Sequence, residues 1–169
     1  MSSEGIERHM EGVSNHEFRH ACGRFATGVC VASVFDEAGA AHGLTVSSFT
    51  SVSLNPPLVL ICIGHEVTVI HAFRRASHFG INILREEDRA LSQRFATKGL
   101  DKFDGVSRRT GQTGVPLIAG ALATLECDLH QRVPAGDHDI FVGRVVATHV
   151  DEGAPLVHFS GRYQRLAVD

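Results

Sequence analysis

Hydrophobic and polar positions change their period several times along this chain of 169 residues. Ser14-Asn15-His16-Glu17 has the form of a capping box, in which two side chains each satisfy an orphan backbone donor at a helix start. Phe18, Cys22, Phe25 and Ala26 then recur at helical spacing, which predicts a helix over roughly Asn15 to Thr27 ended by Gly28. The period then drops to that of a strand over Val29–Phe35, and Asp36–Ala40 reads as a turn. A second strand is expected over Leu44–Ser53, close enough in sequence to form an antiparallel hairpin with the first. Leu58–Ile63 is apolar without a break, the pattern of a strand central in its sheet. Val67–Ala76 reads as a short helix with Ile70 and Phe73 inward, Phe79–Leu84 as a strand, and Glu87–Ala96 as a surface helix.

From Thr97 to Gly114 the chain turns polar and glycine-containing, a long excursion of the kind that in compact domains is usually functional or disordered. Strands resume over Ala121–Val133 and Ile140–Val150 around a turn at Pro134–Asp139, and a last strand is expected over Leu156–Leu166. About seven strands and three helices, joined mostly as hairpins, imply a mainly β fold, an antiparallel barrel with peripheral helices.

Composition narrows the class. With 43% hydrophobic and 21% charged residues the chain is an ordinary globular one, and its length suits a single domain, expected over 14–169 behind a flexible tail at 1–13. A net charge of -3 without a basic block gives no reason to expect nucleic acid. The longest apolar run, Pro56 to Ile63, is too short to span a bilayer, and the tail lacks a signal-peptide layout. Cys22, Cys30, Cys62 and Cys127 form no CxxC pair and read as free thiols of a reducing cytoplasm. His16 and His20 stand four apart, but no carboxylate or cysteine completes a metal set, so no metal is expected.

The chemistry concentrates between His42 and Ile63. Thr45, Ser47, Ser48, Thr50, Ser51 and Ser53 precede the turn Asn55-Pro56-Pro57 and the apolar run. Small hydroxyls and backbone amides beside a sheet suit a bound redox cofactor that carries the chemistry itself, although a solvated edge strand has the same composition. No G-x-S-x-G, G-x-G-x-x-G or P-loop pattern is present, so neither a hydrolase elbow nor a Rossmann site is indicated.

These same residues carry a family resemblance. Gly43-Leu44-Thr45-Val46-Ser47-Ser48-Phe49 and Ser53-Leu54-Asn55-Pro56-Pro57-Leu58 resemble the signature of the short-chain flavin reductases, split-barrel flavoproteins that often serve two-component monooxygenases. The likeness continues through Phe25–Val29, Phe79–Leu84, Lys102–Val106, Gly114–Ala123, Gly136–Gly143 and Gly161–Tyr163, and so from about Phe18 to Leu166. It implies a Greek-key split β-barrel of the FMN-binding type, a homodimer, and hydride transfer from NADH or NADPH to FMN or FAD. The reduced flavin would leave for a separate monooxygenase. No arginine stands out for a 2′-phosphate, which leans towards NADH. The alternatives are a flavoprotein that keeps its flavin and acts on another small molecule, and a flavin-binding module without turnover.

The resemblance also implies roles. Residues matching Thr45, Val46, Ser47 and Ser48 approach the flavin ring and ribityl chain, and Ser51, Ser53 and Leu54 line its phosphate side. The junction Thr27-Gly28 lies against the flavin, though a helix cap explains Gly28 as well. His65 and Thr68 stand where relatives often carry Lys or Arg with serines, and Glu66 there has the wrong sign. Lys102 is either a replacement cation or an exposed loop lysine. Asn82 either caps a neighbouring loop or meets the cofactor, and Ser92 and Phe95 match a region on the adenylate or phosphate side. His138, in Gly136-Asp137-His138, is a turn residue or stands over the flavin and places the nicotinamide. Arg162 and Tyr163 border the nicotinamide pocket, unless Tyr163 is a core tyrosine.

Overall fold

Ser14 caps α1 (Asn15–Cys22) through the capping box that its sequence predicts. The computed structural model describes residues 12–99 and 101–166, and the expected tail at 1–13 lies outside them apart from Gly12 and Val13. The helix stops earlier than its periodicity suggests. Gly23 ends it, donating to Arg19 O at 2.9 Å, while the Gly23 carbonyl accepts from Ser160 N at 2.9 Å. Gly28 therefore ends no helix; it lies in β1 (Thr27–Gly28). The helix buries nothing: Phe18 is 61% exposed, and Phe25 beyond its end 77%.

The main sheet has seven strands, every pair antiparallel, in the order β3-β2-β6-β9-β10-β5-β4. These are β2 (Cys30–Phe35), β3 (Ala41–Val46), β4 (Thr50–Leu54), β5 (Pro57–Gly64), β6 (His78–Ile83), β9 (Ala123–Ala135) and β10 (His138–Val150). β7 (Arg108–Thr110) and β8 (Pro116–Ile118) form a small hairpin. β11 (Val157–Phe159) pairs with β1 on one side and β12 (Arg162–Gln164) on the other. The connection from β5 to β6 skips two strands, which gives the Greek-key order, and α2 (Ile70–Arg75) and α3 (Arg89–Ala96) lie outside the sheet.

Several boundaries depart from expectation. The single strand expected over Leu44–Ser53 is two, broken at Ser47–Phe49, where the chain passes from one sheet edge to the other. The last strand is likewise a hairpin, turning at Ser160 (φ 49) and Gly161 (φ 75), both in the left-handed region that a tight two-residue turn requires. The turn at Pro134–Asp139 shrinks to Gly136-Asp137, with Gly136 at φ 61 and Ala135 paired with His138. β5 is not central but next to the edge strand β4. It alternates: Val59, Ile61 and Ile63 are buried, while Leu58, Leu60 and Cys62 face outward half-exposed. An unbroken apolar run thus arises from one buried face and one outward apolar face.

Inside the curled sheet, Phe73 of α2 closes one end of the core, edge-on to Phe141 at 5.8 Å and tilted against Phe79 at 6.3 Å. A second cluster outside β2 joins Val29 and Val31 to Phe95 of α3, Phe103 and Ile118. Asn82 fastens this outer layer. Fully buried, it donates to Val31 O (2.9 Å) and Ser33 Oγ (3.0 Å) and accepts from Ile118 N (2.8 Å). Its partners lie on β2 and β8, and both amide hydrogens are spent on the former. Replacing Asn82 by Ala strands the Ile118 donor and should cost about 1–3 kcal/mol, read as a lower urea midpoint at unchanged slope.

Candidate active site

Where the chain crosses from β3 to β4, Ser48 stands opposite β5 and completes its ladder. Cys62 N donates to Ser48 Oγ at 2.9 Å, and that hydroxyl donates to Cys62 O at 3.2 Å. Ser47 and Ser51 are exposed, Ser53 half-buried, and Leu54 96% exposed on the edge strand. Val46 points into the core. Thr45 Oγ1 donates to Ser92 O at 2.6 Å, which ties β3 to α3.

Ser92 and Phe95, expected at the adenylate side, have 0% exposure. Ser92 Oγ pairs with Tyr163 OH at 2.9 Å, and Phe95 stacks edge-on against Phe103 at 4.9 Å. Ser92 thus bonds within the outer layer, and Phe95 underlies the groove between β3 and the excursion after α3. Tyr163 packs against the outer core with its hydroxyl satisfied, and the Arg89 guanidinium lies 5.4 Å over its ring. Arg162 beside it is exposed and opens on a cleft of ≈ 780 Å³ that also holds Arg19, Arg24, His16 and His20.

Thr45, Thr68 and Lys102 line a groove of ≈ 770 Å³ between β3, the segment before α2 and the excursion after α3. Lys102 is no free loop lysine. Its Nζ donates to Phe95 O at 2.8 Å at the end of α3, and burial lowers its pKa. Arg94 shapes this wall of the groove, donating to Lys102 O (2.8 Å), Asp101 O (2.9 Å) and Asp104 O (2.6 Å). The far end of the excursion is held by Glu126, which accepts from Thr113 N at 2.7 Å and Gln112 N at 3.1 Å. Sequence reading missed both anchors, because each acts on backbone groups that carry no residue signature.

His138 lies elsewhere, at the tip of the β9–β10 hairpin and opposite Gly64 of β5. A Cβ on Gly64 would stand 3.4 Å from His138 Nε2, so the glycine leaves the imidazole room against the strand. Nδ1 lies 2.7 Å from Asp137 Oδ1. The hydrogen bond to His138 is the main reason that the Asp137 pKa falls below its ordinary value, and an ionised carboxylate can only accept. Nδ1 therefore donates, and Nε2 is the nitrogen left for a ligand. His138 lines neither the groove nor the arginine cleft.

Behind the tip, Asp139 turns inward and is 2% exposed. It accepts from Arg74 Nε at 2.7 Å and lies 3.0 Å from His65 Nε2, with Arg132 Nε at 3.9 Å. His65, expected at the phosphate side, thus spends its ring on Asp139. The hydrogen bond from Arg74, against the effect of burial, holds the Asp139 pKa below 3.8.

The comparisons with known proteins fall on this framework. Residues 22–167 match the flavin reductase like domain. The chain belongs to the flavin reductase-like family. A flavin reductase of Pseudomonas putida is 40% identical over 147 residues, 86% of each chain. The reductase component of 4-nitrophenol 4-monooxygenase/4-nitrocatechol 2-monooxygenase from Rhodococcus opacus is 38% identical over 154 residues, 91% of this chain and 82% of the relative. Among solved structures, the NADH:FAD oxidoreductase of Streptomyces globisporus C-1027, in complex with NAD and FAD fragments, superposes with a TM-score of 0.86 at 37% identity, covering 91% of this chain and 93% of that one. The split barrel expected from the sequence is the fold of this flavin reductase family.

A carboxylate whose pKa is depressed by folding stabilises fully above its unfolded value and loses that contribution as the pH falls through the folded one. Wild type should therefore exceed Asp139→Asn in unfolding free energy at pH 6, and the gap should close as the pH drops below 3.8. Urea titrations at pH 6 and at successive steps into the acid range read this difference.

Proposed function

We infer that this protein is an NAD(P)H:flavin oxidoreductase, with NADH the favoured donor, that reduces FMN or FAD and supplies the reduced flavin to a separate monooxygenase. The match to the flavin reductase like domain across residues 22–167 carries the reading. The residues present fit the cofactor. Ser47 offers an exposed neutral hydroxyl suited to a ring and Ser51 one suited to the phosphate side, and the groove offers Thr68 and the Lys102 ammonium for a phosphate. Thr45 and Phe95 form part of the groove wall, and Ser48, Asn82 and Ser92 support this surface from behind.

A flavin bound here would supply the two-electron acceptor for hydride from the nicotinamide. The chain's own work is to hold two rings at near-attack distance and keep water from between them. For this we assign His138 to the nicotinamide, with Nε2 towards it and Asp137 fixing the tautomer. Arg162 and Tyr163 border the same nucleotide from the other side, and Thr27-Gly28 and Leu54 complete the flavin surface.

Arg162 opens on the arginine cleft and His138 stands outside it at a hairpin tip, which favours a site completed by a second copy. The exposure of Phe18, Phe25 and Leu54, and the outward apolar face of β5, support a homodimer. Among the described residues no helix is long and apolar enough to cross a membrane. We propose a single domain over 14–169, working in the cytoplasm with its thiols reduced.

NADH oxidation by the purified protein should depend on added flavin, and comparing FMN with FAD ranks them. No turnover with either flavin and either nucleotide, despite flavin binding, would point to a binding module. Flavin that stays bound through gel filtration would favour a retained cofactor. His138→Ala should raise the NADH KM about tenfold while flavin affinity stays within about twofold. Equal losses of both affinities would remove His138 from the nicotinamide side.

A further inference from the structure

His138 and Asp139 are neighbours on β10, and strand alternation sends their side chains to opposite faces. His138 goes out over Gly64, and Asp139 goes in, beneath α2. The Asp139 carboxylate gathers Arg74 from α2 at 2.7 Å, His65 from the segment after β5 at 3.0 Å, and Arg132 from β9 at 3.9 Å. Three elements around the hairpin tip thus converge on one buried charge. His65 adds a second tie, donating its backbone N–H to Asp137 O at 2.9 Å, one residue before His138. The tip is held by its backbone before the imidazole and by a side chain after it.

A buried ion cluster is a poor source of stability, because desolvation offsets its attraction, but it fixes geometry well. Packing alone asks little of a charge here. The partner side chains of Arg74 and His65 are 32% and 36% exposed, so the barrel end does not need them for closure. What the cluster specifies is where the two-residue turn Gly136-Asp137 stands relative to β5 and α2.

We propose that Asp139 is a positioning residue of the reductase, acting through His138 by locking the hairpin tip over Gly64. This rests on the reading that His138 places the nicotinamide. Asp139 touches no ligand; it sets the imidazole in register with the strand against which the nicotinamide stacks.

A double-mutant cycle tests it, with NADH KM, kcat, flavin Kd and unfolding midpoint measured for Asp139→Asn, His138→Ala and the pair. Asp139→Asn should raise the NADH KM about fivefold with flavin Kd unchanged. The pair should match His138→Ala alone, because a displaced hairpin cannot misplace a side chain that is absent. Multiplying effects in the pair, or an unchanged KM in Asp139→Asn, would overturn the proposal and leave the His138 role standing. A wild-type KM in His138→Ala would instead remove the underlying reading, and the proposal with it. Should Asp139→Asn fail to fold, Arg74→Gln removes the strongest partner from a half-exposed position. It should show the same KM rise, also absent in the His138→Ala background, and additivity there would be equally fatal.

Discussion

Three residues, Ser47 to Phe49, join the two edge strands of a seven-stranded sheet, and that short tether forces the sheet to curl. Laid flat, seven strands put their outer members about 29 Å apart. The chain from Val46 to Thr50 reaches at most about 14 Å. The sheet must roll up until its edges nearly meet, and the gap that remains is the split of the barrel. Ser48 is the residue that makes the gap tolerable. Its hydroxyl takes both the N–H and the C=O of Cys62, replacing the strand that is missing there.

Everything the candidate site uses is placed by that curl. It brings the hydroxyls of the crossing beside the outward face of β5, and the same strand carries Gly64 to the tip of the β9–β10 hairpin. Polar links then fix the surroundings: Thr45 to Ser92 to Tyr163 across the outer layer, Arg94 and Lys102 at the end of α3, and Asp139 under the hairpin. In each, a side chain closer to the core sets the position of one nearer to solvent.

The strands, their hairpin pairing, the capping box and the class of fold were legible because each follows from local periodicity or turn chemistry. The end of α1 was not, since what stops the helix at Gly23 is a contact with Ser160, far along the chain. The break at Ser47–Phe49 escaped for a similar reason: nothing local distinguishes a bent strand from two. Among site residues, the family resemblance made Ser92 a candidate ligand contact, and an amide interrupting an apolar strand did the same for Asn82. Those groups are equally suited to pairing inside a protein, and both are wholly buried. Arg94, Glu126 and Asp139 left no sequence trace because their partners are backbone groups or distant charges.

The order of strands also governs how the chain comes into being. β3, β2 and β6 form one half of the sheet and β4 with β5 the other, and the only strands that join them, β9 and β10, begin at Ala123. On a ribosome, the chain ahead of Ala123 emerges as two half-sheets with their inner edges unpaired, a state exposed to wrong pairing and aggregation. The thirteen-residue strands of the late hairpin arrive together and fill both edges at once. Closure therefore waits for the same segment that carries His138, and a nascent chain has no candidate site until it has a barrel.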